Sequence, residues 1–138
     1  MSRLFATALG AFFLTAVAGC DMSPAGPSPT VLTGVWGGDH VSLSTNEAGS
    51  RVEFDCAHGT IPGPLTIDGQ GSFIATGSFV REHGGPIRQD EAPDVYPAIY
   101  AGTVRGTLLQ LTVRLTTNEM IGTFTLTRNS PGRVVKCL

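Results

Sequence analysis

The chain has 138 residues, a formal net charge of −2 at neutral pH, and 41% hydrophobic but only 14% charged residues. That length leaves room for one domain with a single core, and a mildly acidic sequence without a basic stripe argues against a nucleic-acid partner. The 18 glycines are accounted for by turns and bulges, since no GxxxxGK[ST] phosphate loop occurs.

The first segment reads Met1-Ser2-Arg3, then Leu4 to Ala18 without a charge, then Gly19-Cys20. A positive start, an apolar stretch and small residues at a cut site are the parts of an export signal. As a helix the apolar stretch would span roughly 22 Å, short of the roughly 30 Å of hydrocarbon that a membrane-crossing helix must cover. Val17-Ala18-Gly19-Cys20 resembles the lipobox of bacterial lipoproteins. The resemblance implies cleavage after residue 19 and a diacylglycerol, palmitate-type anchor on Cys20, with Val17, Ala18 and Gly19 as the recognition residues. Asp21 resembles the inner-membrane retention residue of enterobacterial lipoproteins, a rule that differs between lineages, so the expected location is the cell envelope, facing periplasm or exterior. An ordinary export signal that leaves Cys20 a free thiol is the competing reading.

Residues 20–33, with prolines, serines and glycines after the cysteine, read as a lipidated tether, and residues 34–138 as the domain. With Cys20 assigned to lipid, Cys56 and Cys137 remain as a pair in an oxidising compartment, where a disulfide persists. Closing a loop of about 80 residues would contribute about 4.5 kcal/mol on chain-entropy grounds. A metal-binding or catalytic thiol is the alternative.

Helix signals are absent after residue 30, while alternating runs and turn residues recur, as in an all-β sandwich or barrel. Eight strands are predicted, at about 34–45, 51–58, 64–67, 72–83, 98–105, 107–116, 120–127 and 133–138. The clearest is Leu109, Leu111, Val113 and Leu115 alternating with Gln110, Thr112 and Arg114, one face in the core and the other in water. Short connections join antiparallel neighbours, and closing eight strands removes the exposed edges. The predicted fold is a single antiparallel up-and-down β-barrel. If the last segment were its eighth strand, strand one would separate Cys56 from Cys137 by roughly 9 to 10 Å, beyond the reach of a disulfide. Strand one would then have to break near Gly37-Gly38, or the last segment would have to leave the sheet.

The outline, with Gly34-x-Trp36 opening the first strand, resembles the avidin and lipocalin type of barrel. Phe54-Asp55-Cys56 and the cysteine near the C-terminus also resemble small lipobox-bearing lysozyme inhibitors. Both imply a barrel; neither the ligand-gripping pattern of the first nor the inhibitory motif of the second occurs here, so no function transfers.

Strand direction brings His58 and His83 to one mouth of the barrel. Pleat parity places Val52, Phe54, Cys56 and His58 on one inward face, and Phe73, Ala75, Gly77, Phe79, Arg81 and His83 on another. Setting Leu43 opposite Phe54 puts Asp39 opposite His58. The longest connection, from Gly84 to Pro97, leaves from the same mouth and carries Asp90, Glu91, Asp94 and Tyr96, and loops of that length are often lids or binding loops. Trp36, Asp39, His40, His58, Arg81, His83 and Tyr96 thus form the expected mouth. Its imidazoles and Asp39 are compatible with zinc or another divalent metal at Asp39, His58 and His83, although no resident cofactor is expected. They are also compatible with Asp39 orienting His58 as a general base, or with a satisfied polar network plugging the barrel end. Trp36 reads as a core plug. The expected function is a lipid-anchored barrel that binds a small ligand or an envelope protein; a metalloprotein or hydrolase, and a purely structural envelope protein, are the alternatives.

Overall fold

The computed structural model describes residues 26–138, so the lipobox and Cys20 lie outside the described residues. Every regular element among them is a strand. A two-residue pair, β1 (Thr30–Val31) and β6 (Thr66–Ile67), stands apart from a closed barrel. The barrel strands are β2 (Gly34–Gly38), β3 (Val41–Asn46), β4 (Gly49–Phe54), β5 (Ala57–Pro62), β7 (Ser72–Arg81), β8 (Asp94–Arg105), β9 (Leu108–Leu115) and β10 (Met120–Arg128). They pair in chain order, antiparallel throughout, and β10 closes on β2. The fold is therefore the eight-stranded antiparallel barrel that the alternation predicts.

Its strands are partly different ones. The predicted strand 34–45 folds back at Asp39-His40, and 51–58 folds back at Asp55-Cys56, giving two hairpins in place of two long strands. In each two-residue turn the second residue takes the left-handed conformation, with φ of 67° at His40 and 49° at Cys56. Glycine or asparagine usually marks that position, so the turns carry no compositional signal. The predicted strand 64–67 contributes only β6, outside the barrel. β1 lies inside the segment read as tether, and Leu32 beyond it is buried.

The last segment is not a strand of the sheet. After β10 the chain turns at residues 129–132 and runs back across β2, where Gly37 makes room: a Cβ there would lie 2.1 Å from the Gly132 nitrogen. Arg133 then forms a parallel bridge with Asp39, and Cys137 bonds Cys56 with Cα atoms 4.9 Å apart. The distance conflict disappears because the first hairpin turns away and the last segment leaves the sheet.

The barrel interior is filled. Trp36, Leu43, Val52, Tyr100, Leu111 and Val113 are almost completely buried, and Phe54 packs against Phe79 and Phe124 with ring centroids 5.5 and 5.3 Å apart. The β9 alternation appears as predicted, with Leu109, Leu111, Val113 and Leu115 buried. Tyr100 donates its hydroxyl to the Ser78 carbonyl at 2.7 Å, and burial pushes its pKa up to about 12. Gly59 clears the space, since a Cβ there would stand 2.0 Å from that hydroxyl. Interior volume is thus spent on side chains, as expected of a small eight-stranded barrel.

Strand alternation sorts the connections between two ends. Turns 39–40 and 55–56, the loop 82–93 and turn 116–119 lie at one end; turns 47–48 and 106–107 and the β1–β6 pair lie at the other. The chain enters the fold at this second end, where Pro27 packs against Gly69 and the Leu32 amide donates to the Leu65 carbonyl at 2.7 Å.

Candidate binding cleft at the loop-bearing end

His58 and His83 do meet at one end of the barrel, though not by the predicted strand direction: His58 stands at the start of β5, which runs antiparallel to β7, and both line the same cleft. Neither points into the barrel. The Asp55-Cys56 turn interrupts the parity that joined His58 to Phe54, so Ala57, Gly59 and Ile61 face inward and His58 faces out. His58 lies opposite Glu53 and Val80, not Asp39. The actual register sets Val41 opposite Phe54 and Leu43 opposite Val52. His83 lies beyond the end of β7, in the loop.

Each histidine has its own carboxylate. His40 bonds Asp55, His58 bonds Glu82 at 2.6 Å, and His83 bonds Glu91 through Nε2 while its Nδ1 meets the Gly84 carbonyl. The Gly84 carbonyl and Glu91 together hold the His83 pKa above its usual value. Separate pairing disperses the imidazoles: among the described residues no group of three or more His, Cys, Asp or Glu side chains is placed to hold a metal ion. The Asp39, His58 and His83 set in particular does not assemble. Asp39 sits in the first turn and binds the Arg133 guanidinium, so the Asp39–His58 general-base pair does not form either.

The other expected mouth residues separate as well. Trp36 is a buried core residue, with the Arg128 guanidinium 5.6 Å from its ring centroid. Arg81 continues the inward parity of Phe79 to the strand end, stacks over Tyr96 at 4.8 Å and bonds Glu119. Arg81, Tyr96 and Glu119 form the polar network at the mouth, in place of one built on Asp39 and the histidines.

Lys136, absent from the expected mouth, organises the outside of this end. Its ammonium meets Glu53 at 2.6 Å, Glu82 at 3.2 Å, and the carbonyls of Ala57 and Phe54 at 2.9 and 3.3 Å. Burial opposes all three charges, yet the mutual bonds prevail: Lys136 is held above its ordinary pKa, and Glu53 and Glu82 below theirs. Asp55 accepts the Val135 amide at 2.7 Å, the leading cause of its own lowered pKa. Only its place beside Cys137, as the chain's sole lysine, set Lys136 apart in the sequence.

The cleft lies between the end of β7 and the loop 82–93. Its volume is about 230 Å³, with Val80, Ile87, Ala92 and Pro93 as apolar lining and Glu82, Glu91 and Asp94 as acids. Glu91 shapes the loop by meeting His83 with one oxygen and accepting the Arg88 amide with the other. Ile87 is 78% exposed, an apolar residue held in water at the cleft edge. Compared with family models, curated proteins and solved structures, the chain matches none.

Proposed function

We propose that the chain is a lipid-anchored protein of the bacterial cell envelope whose barrel is a binding module, with the cleft beneath residues 82–93 as its contact surface. The observation that carries this reading is the opposition of the two ends: the chain enters beside β1 and β6, and the cleft opens at the far end. A lipid on Cys20 would hold the entry end near the membrane, because the residues between Cys20 and Gly26 reach at most about 20 Å. The cleft would then face away from the bilayer, toward soluble or wall-bound partners. The filled interior favours contact on the outside over enclosure of a ligand.

Labelling cells with radioactive palmitate tests the anchor. Label is expected in the wild-type chain and absent from Cys20→Ala, and undiminished labelling of the variant would overturn the anchor. A photoreactive residue replacing Ile87 is expected to give a discrete adduct in intact envelopes, and one replacing Glu47 at the entry end is not. Equal yields at the two positions would overturn the assignment of the contact surface.

A further inference from the structure

The cleft is small, apolar along its lining and acidic at its edge. At about 230 Å³ it falls below the roughly 300 Å³ at which small-molecule sites begin, and it suits one long side chain. In its lining the carboxylates outnumber the permanent cations: Glu82, Glu91 and Asp94 stand against Arg81, which is engaged by Glu119, while Lys136 reaches Glu82 from outside the lining and His83 and the Arg88 amide hold Glu91. Both bonds described for Glu82 go to its Oε1, from His58 and from Lys136. Lys136 also shows how this end holds an ammonium, between two carboxylates and two carbonyls.

Building on the binding-module reading, we propose that the cleft seats a lysine side chain of a protein partner. Its methylenes lie along Ile87 and Pro93, and its ammonium sits at the acidic edge to which Glu82, Glu91 and Asp94 contribute. A lysine combines a stem that covers apolar surface with a charged head, which matches a cleft with an apolar lining and an acidic edge. The inserted lysine comes from another kind of chain, because a second copy offers only Lys136, already held by Glu53 and Glu82.

The test is NMR of the full chain in detergent micelles, titrated with acetyl-Leu-Lys-Leu-amide and with two analogues in which norleucine or glutamate replaces the lysine. The lysine peptide is expected to shift the His58 and His83 imidazoles and the Ile87 methyl groups, with the analogues binding at least about tenfold more weakly. Glu91→Gln and Asp94→Asn should each weaken the lysine peptide several-fold while leaving the barrel resonances in place. Raising salt from about 0.05 to 0.5 M should weaken it further, by screening. Equal binding of the norleucine peptide would overturn ammonium recognition and leave the cleft as the contact surface. Absence of any response at His58, His83 and Ile87 to all three peptides would overturn the cleft as well.

Discussion

The C-terminal segment and the loop 82–93 share one end of the barrel, yet they are held in opposite ways. Residues 133–137 are tied to partners far along the chain: Arg133 to Asp39, Val135 to Asp55, Lys136 to Glu53 and Glu82, and Cys137 to Cys56 across a sequence separation of 81. Beyond Glu82, which His58, Lys136 and the Cys56 carbonyl hold, the loop is tied mainly to itself, through His83–Glu91 and the Arg88–Glu91 turn, and its residues are largely exposed. Long-range ties resist opening short of global unfolding, whereas local ties open at small cost. The segment therefore fastens the end of the barrel, and the loop beyond Glu82 is the less constrained of the two.

The largest expected effect comes from breaking the fastened side. Cys137→Ser should lower stability by about 2 to 5 kcal/mol, measured by denaturant unfolding, and hydrogen exchange should quicken at residues 133–137 more than in β9. Equal quickening across the barrel would mean that the segment is not an independent fastening. Beneath both regions, Gly59→Ala should cost about 1 to 3 kcal/mol by overpacking, because its Cβ would meet the Tyr100 hydroxyl. Adding Tyr100→Phe should recover part of that loss. A full loss retained in the double variant would place the clash at the Ser78 carbonyl, 2.7 Å from the same Cβ.

Smaller effects separate the two regions more finely. Lys136→Met should cost about 1 kcal/mol, limited by solvent screening of a side chain that is 37% exposed. Burial opposes ionisation of Glu53 and Glu82, but Lys136, with Arg51 at Glu53 and His58 at Glu82, holds both below the ordinary value of 4.5. Carboxylates with lowered folded pKa values contribute stability above the unfolded pKa and lose it as pH falls through the folded one. The denaturant midpoint should therefore drop as pH falls below 4.5, less steeply in Lys136→Met. On the loop side the sign reverses. The Gly84 carbonyl and Glu91 hold the His83 pKa above its ordinary value, so the contribution of this pairing is complete below the unfolded pKa and fades as pH rises through the folded one. NMR titration of His83 should show that raised value in the wild type and its decrease in Glu91→Gln, with the denaturant midpoint left nearly unchanged.

Much of this architecture was legible in the residues themselves. Period-two alternation in β9 reads directly because one face is core and the other water, and closure of the barrel follows from eight short antiparallel strands. The number of barrel strands was right while their identity was partly wrong. His40 and Cys56 occupy left-handed turn positions that glycine or asparagine would have marked, and each is secured by a contact to a residue distant in sequence, Asp55 or Cys137. Those turns changed the facing of His58 and removed Asp39 from it, so the expected mouth split into a core tryptophan, a polar network at the rim and an outer cleft.

Local chemistry along the chain determined the strand content and the resemblance of the leader to a lipobox, and made Cys56 with Cys137 the expected pair. Tertiary structure alone decided that the last segment crosses the barrel end, that Lys136 joins Glu53 to Glu82, and that the cleft opens outward beneath the loop. The physical reason is range. Alternation and turn chemistry act over a few residues, whereas a two-residue turn without glycine and an ammonium shared by a strand and a loop are stabilised by groups that only the closed barrel brings together.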